Sequence, residues 1–380
     1  MGLFLGIPIF EFVCGVTVHR IGPSRFGDRS TFHQFVQVAD TATFGGSLIC
    51  LQGRSRMIST AFLFPGQGSQ RVGMGHDLAQ AYPDLVAPLF RTADEVLGFE
   101  LSQLCWNGPE DRLARTDITQ PAIFVASLAA YHVLSKLVPV PVVVAGHSLG
   151  EYTALVAAGV LEWTDALRLV RRRGELMARV NESNPGAMAA ALGLSSDTVE
   201  CLCAEVREQT GTVVEVANYN AEDQTVVSGS EAGVTEFTTR ATRLGVEGAK
   251  VKRLAVGAPF HSSMMAPVEA EFAADLAGVR FADPVIPLVA NVTAARVHSG
   301  EQARAGLRAQ LAGSVRWSQS LRAVREFGVE AFVEVGPGRV LTGLCKRAYP
   351  EVASYSAGDR RRIRAVADEV GGVFPVEAVG

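Results

Sequence analysis

The feature that most constrains this chain is a valine-rich run, residues 139–145, which ends in Gly146-His147-Ser148-Leu149-Gly150 and gives way to a helical pattern from Glu151 onward. A continuous apolar run of that length suits a strand buried on both faces, the environment of a parallel sheet. The turn that follows places a serine between two glycines. A strand, a sharp turn and a helix in that order form a frame in which a serine hydroxyl is held out of the backbone, and the glycines avoid clashes that a Cβ would cause.

The rest of the sequence extends this frame into an α/β fold. Ser59 to Phe64 reads as a strand that breaks at Pro65-Gly66-Gln67-Gly68-Ser69-Gln70. Residues 77–97, 118–137, 151–159 and 163–179 carry apolar residues at helical spacing. From Gly186 to Arg253 the elements shorten into apolar 187–194, helical 196–208, strand-like 212–219 and 224–229, helical 231–244 and strand-like 247–254. That order is βαββαβ, which packs two helices on one face of a small antiparallel sheet. Strand-like 285–292, helical 301–311 and 321–327, and strand-like 331–335 then resume the larger pattern, and the core is expected to close near Pro350.

We therefore expect an α/β fold with a large, α/β-hydrolase-like domain around a mainly parallel sheet (residues 57–185 and 254–350). A ferredoxin-like subdomain is inserted at 186–253, and residues 351–380 are read as a C-terminal tail whose basic run, Arg360 to Arg362 with Arg364, is a solvated helix face. Residues 1–56 lack clear periodicity. They are read as an extension arising from an upstream start codon, with a targeting or docking segment as the rival reading.

Composition excludes several classes. A formal charge of -4 and a pI near 6.0 give no electrostatic reason to expect nucleic-acid binding. Six cysteines without a CxxC pair suggest neither a disulfide framework nor a metal site and fit a reducing, cytoplasmic setting. The apolar stretch from Leu3 to Val18 is interrupted by Glu11 and is shorter than the roughly 20 residues of a membrane span, so no membrane association is expected.

A serine nucleophile needs a base, and the chain has seven histidines. His19 and His33 lie in the doubtful leader, His147 sits beside the serine, His76 and His132 fall in helical patterns, and His298 lies in a polar loop. His261 stands in Val256-Gly257-Ala258-Pro259-Phe260-His261-Ser262, where the inserted unit returns to the larger one. Taken alone, a loop histidine is more commonly structural than catalytic, and an arginine within Arg171-Arg172-Arg173 is more commonly a solvated charge.

Four ordered motifs change that weighting. Phe64-Pro65-Gly66-Gln67-Gly68-Ser69-Gln70, Gly146-His147-Ser148-Leu149-Gly150-Glu151-Tyr152, Gly257-Ala258-Pro259-Phe260-His261-Ser262 and Glu334-Val335-Gly336-Pro337-Gly338 resemble those of bacterial malonyl-CoA:acyl-carrier-protein transacylases. The likeness covers about residues 57–350 and extends to the acyltransferase domains of polyketide synthases and their free-standing relatives.

The resemblance implies that Ser148 takes the acyl group and that His261 is its base, then the acid for the leaving thiol. It implies an oxyanion hole from the backbone N–H groups of Gln67 and Leu149, the second being the residue after the nucleophile as elbow geometry requires. The backbone carbonyl of Gln310 would orient His261, and Arg173 would grip the free carboxylate of malonate with two parallel hydrogen bonds. Phe260 resembles the residue of malonyl-preferring members, and Asn218 and Asn220 match a cleft-lining segment. The implied reaction is ping-pong: malonyl-CoA loads the serine, and the phosphopantetheine thiol of acyl carrier protein removes the group for fatty-acid or polyketide synthesis. No tightly bound cofactor and no metal is implied. The alternatives are a trans-acting polyketide synthase acyltransferase using another extender, a thioesterase or lipase of the α/β-hydrolase type, and a degenerate, non-catalytic docking protein.

Overall fold

A computed structural model describes residues 58–371, apart from Ala255 and Gly257, so the leader, residues 372–380 and the first residue of the His261 motif lie outside the described residues. Strand β1 (Thr60–Phe64) precedes helices α1 (His76–Ala81), α2 (Pro83–Leu97), α3 (Leu101–Asn107), α4 (Glu110–Leu113) and α5 (Thr116–Leu134). Strand β2 (Val143–Gly146) then leads into α6 (Gly150–Ala157) and α7 (Trp163–Ser183). The middle of the chain forms β3 (Gly186–Leu192), α8 (Ser196–Thr210), β4 (Val214–Ala221), β5 (Gln224–Ser230), α9 (Glu231–Arg243) and β6 (Lys250–Arg253). After α10 (Ala266–Ala277) come β7 (Leu288–Val289), β8 (Arg296–Val297), α11 (Gly300–Gln310), α12 (Trp317–Arg325), β9 (Ala331–Val335), α13 (Val340–Ala348), β10 (Ala353–Ala357) and α14 (Arg360–Val370).

These strands make two sheets. The larger has the order β10-β9-β1-β2-β7-β8 and is parallel throughout except where β8 pairs with β7. The smaller, β4-β5-β3-β6, is antiparallel and has the βαββαβ chain order. Every residue of β1 and β2 is buried, as a strand covered on both faces requires. Helix α5 is buried over nearly its whole circumference, from Asp117 to Leu134, so its sequence is apolar without an amphipathic stripe. β4 of the smaller sheet is joined to the segment just before α12, where Val315 N donates to Ala217 O (2.8 Å) and Tyr219 N donates to Val315 O (2.9 Å).

Two strands are shorter than their apolar runs. The run from 139 becomes a strand only at Val143, because Pro139 and Pro141 have no N–H to offer the ladder. Pro287 shortens the 285–292 run to Leu288–Val289 in the same way. The expected closure near Pro350 is corrected. β10 pairs with β9 over Ala353–Ala357, and α14 buries Ile363, Val366, Ala367 and Val370 against the core. The basic run made this helix look solvated, yet its apolar residues recur at i, i+3, i+4 and i+7, which is a core-facing stripe.

Candidate active site

Three adjacent parallel strands end at one place. The turn after β1 carries Gln67, the turn after β2 carries Ser148 and the segment after β7 carries Asn291, so the site lies at the carboxyl ends of the strands, as ligand sites in parallel sheets do. Ser148 adopts a left-handed backbone with φ 52°, a conformation that costs a non-glycine residue about 1–3 kcal/mol. The turn is tight enough that a Cβ on Gly146 would overlap the Gly150 carbonyl, and one on Gly150 would overlap Phe64 O. Asn291 clamps the strained turn from the next strand: its Oδ1 accepts from Ser148 N and its Nδ2 donates to Gly146 O, both at 2.6 Å.

His261, also at positive φ (57°), reaches Ser148 from the far side of the chain. Its Nε2 lies 2.7 Å from Ser148 Oγ, and its Nδ1 lies 2.9 Å from Gln310 O and 3.1 Å from Gly313 O. Two carbonyls beside Nδ1 require that this nitrogen carry the proton, which leaves the Nε2 lone pair for the serine hydroxyl. Burial, then the charge of Arg173, pushes the imidazole down to about 3, so it is neutral near pH 7. That is the protonation state a base needs.

Arg173, on α7, is 1% exposed. Its Nη1 donates to Gln120 Oε1 (2.7 Å), and its Nη2 donates to Gln310 Oε1 and to Ser148 Oγ, both at 3.0 Å. Its guanidinium stands 5.8 Å from the centre of the Tyr152 ring, and its Nε is buried without an acceptor. Among the described residues no carboxylate lies within salt-bridge distance of it, although a buried cation is costly unless it is paired. Burial accordingly pulls the guanidinium below its ordinary value. The other two arginines of the run, Arg171 and Arg172, do pair at the surface, with Asp117 and Glu175 and with Glu271 and Asp275.

A cavity of about 130 Å³ joins these groups, lined among others by Gln67, Ser148, Arg173, Asn218, Phe260 and His261. An enclosed cavity near 150 Å³ holds benzene, so a volume of this size has room for a short acyl group. Gln67 and Leu149 flank the serine, and neither backbone N–H donates to a protein acceptor among the described residues. Asn220 stands apart from that lining, and its Oδ1 accepts from His147 Nε2 (2.8 Å); this bond and the Trp317 ring, 5.3 Å away, hold His147 to neighbours other than the nucleophile.

Sequence reasoning missed Asn291, Gln120 and the buried carboxyl of Glu151, and assigned Gln310 a backbone role only. Both Asn291 and Gln120 are fully buried; Asn291 interrupts the apolar run Leu288-Val289-Ala290, which is a signal in the sequence, whereas Gln120, between Thr119 and Pro121, carries none. Glu151 was hidden by its place within a motif whose serine drew the attention.

Known proteins resemble this chain in sequence and in fold. The sequence matches the acyl transferase domain family over residues 61–364. It is 39% identical over 308 residues to a malonyl CoA-acyl carrier protein transacylase of Haemophilus influenzae, covering 80% of this chain and 97% of that one. It is 40% identical over 323 residues to the polyketide biosynthesis protein ThaF of Burkholderia thailandensis, covering 84% of this chain and 27% of that one. Its fold is similar to that of a solved malonyl-transacylase in complex with its type II polyketide synthase acyl-carrier protein, with a TM-score of 0.77 at 37% identity over 82% of this chain and 99% of that one.

Proposed function

This chain belongs to the acyl transferase domain family, and on that premise we propose that it moves a malonyl group from malonyl-CoA to the phosphopantetheine thiol of an acyl carrier protein through an ester on Ser148. The observation that carries this reading is Arg173, a buried cation 3.0 Å from Ser148 Oγ whose protein partners are neutral. A generic esterase has no use for such a charge. A substrate with a carboxylate one methylene from its scissile carbonyl supplies the missing counter-ion and makes a charge-assisted, two-pronged pair.

In the first half-reaction His261 Nε2 takes the Ser148 proton as Oγ attacks the thioester carbonyl. The Gln67 and Leu149 amides receive the oxyanion; losing one such donor typically costs about 3–4 kcal/mol. The C–S bond breaks, and the imidazolium returns its proton to the CoA sulfur. In the second half-reaction the carrier thiol gives its proton to His261, its sulfur attacks the ester, and Ser148 leaves with that proton. Once Oγ is esterified it no longer competes for Arg173 Nη2, so the guanidinium is released to the malonyl carboxylate in the acyl-enzyme. Phe260 and Asn218 shape the cavity around the acyl group, while Asn220 acts from behind His147. The chemistry calls on no tightly bound cofactor.

We further read the smaller sheet as a ferredoxin-like subdomain inserted at 186–253 into an α/β-hydrolase-like domain, and the setting as cytoplasmic. Among the described residues no helix is long and apolar enough to cross a membrane. The likeness to ThaF makes a polyketide carrier an acceptor to be tried beside a fatty-acid carrier.

Incubation with labelled malonyl-CoA should leave the label on Ser148 and not on a Ser148→Ala variant; rapid release of free malonate without a labelled enzyme would support a hydrolase instead. Arg173→Ala should lower malonyl transfer by about a hundredfold, the cost of removing one partner of a buried charge pair, and acetyl transfer far less. Equal losses would remove Arg173 from its assigned role.

A further inference from the structure

Gln310 touches three groups of the site at once, His261, Arg173 and the Ser148 backbone. Its backbone oxygen holds His261 Nδ1, its Oε1 accepts from Arg173 Nη2, and its Nε2 donates to Ser148 O (3.0 Å) and to Glu151 Oε2 (2.6 Å). A side-chain amide has two faces, one accepting and one donating, and turning it over exchanges them. The direction seen here serves Arg173 only because the donating face finds its acceptors on the opposite side.

Of those acceptors the Glu151 carboxyl is the nearest and the one that can ionise. It is 2% exposed, and its remaining recorded hydrogen bond is from Asn291 N, at 3.3 Å. Burial, offset by the Gln310 and Asn291 bonds and by Arg173, pushes it up to about 7. The cost of placing a carboxyl in that position asks for a return that packing alone does not give. Glu151 reaches neither the cavity nor the serine hydroxyl, so it is not a catalytic residue.

We propose that Glu151 is a positioning residue for acyl-group selection: it fixes the direction of the Gln310 side-chain amide, and that amide in turn aims Arg173 at the substrate carboxylate. The inference rests on the malonyl-transfer reading given above. Replacing Glu151 by glutamine presents Gln310 with an amide instead of a carboxyl, so the shortest of the contacts that demand a donor is lost and the direction of Gln310 is left to Ser148 O and Asn291 Oδ1, at 3.0 and 3.5 Å. A reversed Gln310 amide sets N–H against the N–H of Arg173, which drives the guanidinium off its aim. The His261 anchor is untouched by this reversal because it uses the Gln310 backbone.

The test compares two reactions of Ser148 in the full chain. One is malonyl transfer from malonyl-CoA to acyl carrier protein; the other is sulfonylation by neutral phenylmethylsulfonyl fluoride, which needs the serine and histidine but offers Arg173 no carboxylate. In Glu151→Gln the ratio of malonyl kcat/KM to sulfonylation rate should fall by about tenfold or more, the effect of one mis-set hydrogen bond to a charged group. Equal decline of both reactions in folded protein, or no decline in malonyl transfer, overturns the proposal. Should Glu151→Gln not fold, Gln310→Met carries the test, since it removes the amide and keeps the length; an unchanged ratio there overturns the proposal equally. Wild-type enzyme that takes no malonyl label on Ser148 would refute the function reading itself and is scored before either variant.

Discussion

At the scale of single residues, the pairing of Arg173 with His261 on one serine oxygen has a consequence for pH. Both groups lie within 3.0 Å of Ser148 Oγ, so the guanidinium opposes protonation of the imidazole that works beside it. With the histidine held at about 3 rather than its ordinary 6.5, the acid limb of Ser148 reactivity toward a neutral reagent should lie far below pH 6.5. Arg173→Gln removes a positive charge and must therefore raise the histidine, moving that limb upward. It should stop short of 6.5, because burial is the larger cause and the substitution leaves it in place. The rate of sulfonylation against pH, for wild type and variant, measures this. A wild-type limb at 6.5, or no shift in the variant, contradicts the arrangement. Ser148 was legible in its strand-turn-helix frame, and His261 only through the resemblance of its motif to those of a known family. The sequence did not reveal Asn291 or the Gln310 side chain, because a clamp works through distances across 143 and 162 positions, and no local pattern records them.

At the scale of elements, regular periodicity announced α7, α8, α9 and α11, and each begins or ends close to where its apolar spacing does. Prolines misled the strand readings, since Val140 and Val285 look like core residues yet stand exposed beside prolines that cannot join a ladder. The motif Glu334-Val335-Gly336-Pro337-Gly338 shows a role that the sequence left unstated. Glu334 closes β9 with a carboxylate that accepts from Leu341 N (3.2 Å), Thr342 N (2.8 Å) and Thr342 Oγ1 (2.6 Å) at the start of α13. It thereby satisfies N–H groups that have no partner within their own helix and places negative charge at the positive end of its dipole. Glu334→Ala should cost about 3 kcal/mol, the sum expected for stranding these donors in a buried place. Glu334→Gln, which keeps an acceptor and loses the charge, should cost less. Urea denaturation midpoints decide this, and equal midpoints for all three proteins would deny Glu334 a capping role.

At the scale of the whole molecule, the site depends on a sheet whose central strand is the first one described. β1 lies between β2 and β9 and ends in the turn that supplies Gln67, so the question is what holds its leading end. The structure answers from within: Ser59 N donates to Glu330 Oε2 (2.9 Å), and Ser59 O accepts from Glu330 N (2.8 Å) and Ala331 N (3.2 Å). The leading end is thus tied to the start of β9, and on the β2 side Val142 N donates to Thr60 O (2.9 Å); the family match opens at residue 61, within this strand. The elements that position Ser148, His261, Arg173 and Gln310 all follow it. Tolerance to truncation is governed by the burial and hydrogen bonding of the backbone affected. Removing residues 1–56, so that the chain starts at Met57, should therefore leave the urea midpoint unchanged within error and malonyl kcat/KM within about twofold of the full chain. Loss of folding would mean that β1 needs residues before Met57 for its stability. A folded but inactive product would mean that those residues complete the site or receive the carrier, which would make the leader a docking segment and not an extension.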